Sequence, residues 1–116
     1  MRHLKANLIG LSLALASLAG SATVASATDV SILTPYISSV PTNDMAQAFK
    51  AEGTKRGWNV TITDTRNDFG QLASRFEDVV NAKTSAVVLI SVDPKQVADQ
   101  VALAGKARSE ERRVSR

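Results

Sequence analysis

From residue 29 onward, short runs rich in β-branched residues alternate with longer stretches whose apolar positions recur every three or four residues. Residues 30–34 read as a first strand, ended by Pro35, whose ring fixes φ and removes an N–H. Thr42 is the expected N-cap of a helix carrying Met45, Ala46, Phe49 and Gly53 on one side. Gly57 closes that helix after Lys55 and Arg56, cations that suit the negative end of its dipole. A second strand, 59–64, alternates Val60 and Ile62 with threonines, and a polar loop of Thr65, Arg66 and Asn67 follows. Asp68 with Gln71 three residues on has the form of a capping box. Leu72, Phe76, Val79 and Val80 then fall at i, i+4, i+7 and i+8, one stripe that faces a core. The third strand, 86–90, is apolar at every position, the pattern of a strand covered on both faces. Asp93 as N-cap, Pro94 at the first helical position and Gln96 at the third open a further helix, with Val97, Val101 and Ala104 as its buried face.

Three βα units in a row predict an α/β fold: a doubly wound parallel sheet, strand order 2-1-3, with helices on both faces. The start of the chain carries a different pattern. Arg2 and Lys5 precede an apolar run at 8–19 and a small-residue stretch ending Ala25, Ser26, Ala27, which reads as a signal peptide over residues 1–27 cleaved after Ala27. The run is too short for a spanning helix, which needs about 20 apolar residues. No stable membrane span is therefore expected after cleavage. With no cysteine in the chain there is neither a lipid-modified cysteine nor a disulfide, and a soluble periplasmic product is expected.

Charge changes the picture little. The formal net charge of +3 comes from the two ends of the chain, since residues 28–107 hold eight Lys or Arg against nine Asp or Glu. Nucleic acid is accordingly not an expected partner. Residues 108–116 alternate charge without an apolar period and resemble translated adapter sequence, so the expectation is a non-native tail on a truncated gene product, either disordered or merely prolonging the third helix without packing, with residues 28–107 as the folded part.

In an open parallel sheet, ligands bind outside the carboxyl ends of the strands. Those positions are residues 36–42, 64–69 and 91–93, and the candidate ligand-binding residues are Tyr36, Ser38, Ser39, Thr42, Asp64, Arg66, Ser91 and Asp93. Hydroxyls, carboxylates and a guanidinium suit a small polar solute such as a sugar or polyol, because each ligand OH or NH needs a fixed partner once water is excluded. Plainer readings stand beside these: Thr42, Asp68 and Asp93 as helix caps, Tyr36 packed on its own loop, and Arg66 paired with Asp64 or Asp68. Catalysis has little support. The single histidine, His3, lies in the leader, no nucleophile has a histidine partner, and the first loop lacks the glycines of a phosphate cradle. No enzyme, cofactor or metal is expected.

The strings VSILTPYISSVPTNDM, KAEGTKRGWNVTITDT, FGQLASRFEDVVNAKTSAVVLIS and VDPKQVADQVALAGKA together resemble the type I periplasmic binding proteins, in particular the ribose-binding-like sugar receptors of ABC importers. The resemblance implies a partial N-terminal lobe of a two-lobed receptor, closed by a hinge around its ligand, with the importer's permease as partner. It also implies Ser39 at the family's polar position after the first strand, with Pro41 and Thr42 where aromatics that pinch a sugar ring usually stand. An effector-sensing domain of a regulator or sensor shares the fold, although the leader counts against a cytoplasmic one. A flavodoxin-like or receiver-type domain would need a phosphate cradle or an acidic cluster at the first strand, and Thr34, Pro35 and Tyr36 provide neither.

Overall fold

A computed structural model describes residues 27–114; the signal peptide expected over residues 1–27 lies almost wholly outside them. The elements follow in the expected order: β1 (Asp29–Thr34), α1 (Val40–Lys55), β2 (Asn59–Asp64), α2 (Phe69–Asn81), β3 (Ala86–Leu89), a 3-10 turn (Pro94–Val97) and α3 (Ala98–Val114). All strands are parallel in the order β2-β1-β3. β1 pairs with β2 over six positions, Asp29 with Asn59 through Thr34 with Asp64, and with β3 over four, Val30 with Ala86 through Leu33 with Leu89. Among the described residues, no helix is long and apolar enough to cross a membrane.

Period-two alternation along β1 sends its side chains to two cores. Val30 and Ile32 join Ala46 of α1, Val60 of β2 and Ile90, with Phe49, Trp58, Ile62 and Val88 packed around them. Leu33 joins Leu72 and Phe76 of α2 and Val97, with Val79, Val80, Val87 and Leu89 at the margin. Helix α1 thus covers one face, while α2, the 3-10 turn and α3 cover the other. Ile32, Leu33, Ala46 and Leu72 are fully buried, each removing from water side-chain area worth about 25 cal/mol per Å².

Both βαβ crossovers begin their return with the same device. Gly57, at φ 78°, lets Trp58 N–H reach the Gly53 carbonyl (2.9 Å) and Gly57 N–H the Thr54 carbonyl (3.0 Å). After α2, Lys83 takes the left-handed position (φ 57°), and the matching bonds run from Thr84 N–H to Val79 and from Lys83 N–H to Val80. Both are Schellman motifs, which satisfy the last helical carbonyls and turn the chain back.

Three expectations need correction. Helix α1 begins at Val40 with Ser39 as N-cap, so Thr42 is not the cap. The reason is Pro41: proline is tolerated in the first helical turn, so the helix starts before it. Met45 is 60% exposed and Val101 44% exposed, because the three-stranded sheet is too narrow to cover the full apolar stripe of either helix. Ile90 lies one residue past β3, although its N–H still donates to the Leu33 carbonyl at 3.2 Å and its side chain is buried. The tail takes one of the two forms expected of it: α3 continues as helix through Val114, with Arg108, Ser109, Glu110, Arg112 and Arg113 exposed on it.

Candidate functional site

The carboxyl ends of the three strands release the chain into three short segments whose conformations are fixed by bonds between them. After β1, the buried Thr34 hydroxyl accepts from Tyr36 N–H (3.2 Å) and Ser39 N–H closes a turn onto the Tyr36 carbonyl (2.9 Å). Ser39 has cap geometry but its hydroxyl does not bond the helix, which leaves Ser38 and Ser39 as exposed hydroxyls beside the start of α1. Tyr36 is half-buried with its ring edge-on to Phe69, centroids 6.3 Å apart and planes at 71°. That arrangement favours the quadrupoles of both rings. It ties the first segment to the start of α2 and makes Tyr36 part of a fixed aromatic wall.

After β2, Thr65 N–H donates to the Thr34 carbonyl (3.0 Å), continuing the ladder by one bond. The chain then reverses in a turn with both central residues left-handed, Arg66 at φ 51° and Asn67 at φ 63°, closed by Asp68 N–H on the Thr65 carbonyl (2.9 Å). Positive φ at both positions is the signature of a type I′ turn. Asn67 N–H reaches across to the Pro35 carbonyl (2.9 Å), so the first two segments are joined through backbone. Asp64 accepts from Arg66 N–H (3.0 Å) and Asp68 from Gln71 N–H (2.8 Å), the latter being the expected helix cap. These carboxylates hold backbone in place. The Arg66 side chain is exposed and, among the described residues, forms no ion pair with either of them.

After β3, Ser91 is left-handed (φ 59°), and its hydroxyl bonds that of Thr42 at 2.8 Å. This contact spans 49 positions in sequence and fastens the end of β3 to the first turn of α1. Asp93 caps the 3-10 turn, accepting from Lys95 N–H (2.9 Å).

Of the eight candidate residues, Thr42 and Ser91 are brought into contact, Asp64 and Arg66 share one turn, Tyr36 is held by Phe69, and Ser38, Ser39 and Asp93 stand exposed along the rim. Among the described residues, three of the four non-glycine residues with positive φ, namely Arg66, Asn67 and Ser91, lie on this rim. Each such conformation costs on the order of 1–3 kcal/mol, and strain of this kind gathers where a surface is held ready for use. Thr65 and Phe69 were not legible as site residues. Thr65, immediately before the Arg66–Asn67 turn, is buried with a hydroxyl that has no hydrogen-bond partner among the described residues, and its position after a strand of alternating threonines gave no signal of that. Among the described residues, no three His, Asp or Glu side chains come together to hold a metal ion. The rim therefore offers fixed hydroxyls, carboxylates, an exposed guanidinium and an aromatic edge, groups capable of hydrogen bonding and ring contact.

Compared with protein-family models, with curated proteins and with solved structures, the chain matches none.

Proposed function

We propose that this chain captures a small polar solute, a sugar or polyol, as the N-terminal part of a periplasmic binding protein that serves an ABC importer, exported by the leader at residues 1–27. The observation that carries the reading is the convergence of three polar segments at the carboxyl ends of a 2-1-3 parallel sheet, fastened together by the Thr42 to Ser91 bond. Ligands of such sheets bind where strand order reverses, here between β1 and β3. Solute hydroxyls would be met by Ser39, Asp64, Arg66 and Asp93, and Tyr36 would present its edge or face to a ring. On this reading the rim is one wall of a two-walled cleft, with hinge closure of a second lobe excluding water. The permease would then read the closed form.

The test is an NMR titration of the 116-residue chain with a panel of pentoses, hexoses and polyols. Amide shifts confined to residues 36–42, 64–68 and 91–93, with a dissociation constant of about 1 mM, are expected, since one open wall leaves every contact competing with water. Arg66→Ala should weaken that binding about threefold to tenfold, the range of a single net hydrogen bond. Absence of shifts at the rim for every solute sinks the site. Micromolar affinity would overturn the two-walled reading, because a single wall could not supply it.

A further inference from the structure

β3 stands at one edge of the sheet and is apolar at all four positions, whereas β1 and β2 each set polar residues between their apolar ones. Beside it runs an open groove of about 1260 Å³, lined by Phe76 and Val80 of α2, Val87 and Leu89 of β3, and Val101 and Leu103 of α3. Val101 and Leu103 are two of the four large apolar side chains that stand exposed among the described residues. The mouth of the groove lies at Lys83, Thr84 and Ser85, just before β3. Edge strands are commonly blunted against pairing by a charge or a proline. Residues 84–92 hold neither.

The edge is complementary to itself. Ile90 N–H donates to the Leu33 carbonyl, so the alternation of the ladder turns the N–H and C=O groups of Val87 and Leu89 to the open side. An antiparallel pairing of two β3 strands engages all of these groups when it is centred on Val88. Val87 then exchanges hydrogen bonds with Leu89 of the second copy, Leu89 does so with its Val87, and the two Val88 residues meet on the twofold axis. Like face joins like, since Val87 and Leu89 belong to the core under α2 and Val88 to the core under α1. Charge agrees with this direction. Lys83 and Asp93, both exposed, are the only charged residues in 83–93, and antiparallel pairing brings the lysine end of each strand to the aspartate end of the other. The covered face, the β3 edge with the flank of α3 beside it, measures about 26 Å along α3 and about 20 Å across two layers, or about 500 Å² per copy. Two copies together reach about 1,000 Å², the lower limit of a specific interface, which suits a weak dimer.

We propose that the β3 edge and its groove are a docking surface for a second copy of this chain, joined β3 to β3 about a twofold axis through Val88. The sheet then runs without a break in the order β2-β1-β3-β3-β1-β2, and the two α3 helices lie antiparallel on one face of the junction. Val101 of each copy, exposed in the single chain, is covered there. Because the two halves run in opposite directions, their polar rims open at opposite ends of the joined sheet. The inference does not rest on the solute-binding reading.

The chain contains no cysteine, so a single introduced thiol reports alone. Val88→Cys sets two thiols at a directly opposed pair whose Cα atoms lie about 4.5 Å apart, within reach of a disulfide. Val87→Cys leaves its two thiols on a diagonal of about 7–8 Å, beyond that reach. Under mild oxidation the 116-residue chain should therefore cross-link about tenfold faster through Val88→Cys than through Val87→Cys or through Thr61→Cys, which is exposed on the opposite edge strand, β2. Any order in which Val88→Cys is not the fastest overturns the proposal. Lys83→Glu and Val101→Glu alter exposed side chains and guard against a thiol variant that fails to fold. In sedimentation equilibrium the unsubstituted chain should dissociate with a constant of about 10–100 μM, and each substitution should raise it about threefold to tenfold. A chain that stays monomeric up to about 1 mM, or an association that neither substitution weakens, likewise overturns it.

Discussion

β2 and β3 both flank β1, yet their patterns and surroundings differ throughout. β2 alternates: Val60 and Ile62 lie under α1, and Thr61 and Thr63 carry hydroxyls on the other row. Beside it the packing is close, for a Cβ added to Gly53 would come within 2.7 Å of Val60 Cγ2 and 3.1 Å of Trp58 Cε3. β3 has Val87, Val88 and Leu89 in succession, half-buried on both faces, and opens on its outer side into the groove. A Cβ added to Gly105 of α3, which also lines that groove, meets nothing within 4 Å. The comparison teaches that an edge position is written into β2, whereas β3 has the composition of an inner strand although it stands at an edge of the described sheet.

The contrast can be broken or sharpened by substitution, with stability read from urea midpoints at unchanged slope. If looseness extended inward from the β3 edge, Leu72→Ala would be tolerated; because Leu72 is fully buried between α2 and β1, it should instead cost about 2–5 kcal/mol. A loss below 1 kcal/mol, on the order of a surface change, would mean that the whole α2 face is soft. Next in size, Gly53→Ala should cost about 1–3 kcal/mol by forcing Val60 and Trp58 apart. Its counterpart Gly105→Ala should gain about 0.5–1 kcal/mol, since it adds helix propensity in open space. The same sign for both glycines would erase the distinction between the flanks. An effect of the same size as that at Gly105 concerns the two Schellman motifs, which have glycine on the β2 side and lysine on the β3 side. Lys83→Gly should gain about 0.5–1 kcal/mol from relief of the left-handed conformation. A loss there would show the Lys83 side chain holding the groove mouth by contacts of its own.

What could be read from sequence was what depends on near neighbours in the chain. The Leu72, Phe76, Val79, Val80 stripe, the Asp68 cap and the left-handed Gly57 each follow from residues within one or two turns, and each is found. The strand order followed from three consecutive βα units and the preference for short, uncrossed connections. Met45 and Val101 show where periodicity stops: it locates a stripe but does not say how much sheet lies opposite. The rim was legible as three segments but not as a connected surface. The Thr42 to Ser91 bond and the Tyr36 to Phe69 ring contact join residues brought near only by the parallel pairing of β1 with both neighbours. The left-handed Arg66, Asn67 and Ser91 carry side chains that do not announce a positive φ as glycine would.

The middle strand of the sheet is also the first in the chain, and this sets an order of assembly. Asp29 finds its β2 partner Asn59 about 30 residues later, while Val30 waits for Ala86, about 56 residues on. Closing the longer loop costs roughly 0.6 kcal/mol more for each doubling of length, and it brings four paired positions where the shorter loop brings six. The β1–α1–β2 crossover unit is therefore the part with most to gain and least to close, and β3 with its helices condenses onto a template already formed. A chain delivered from its N-terminus completes that template before the last third has emerged.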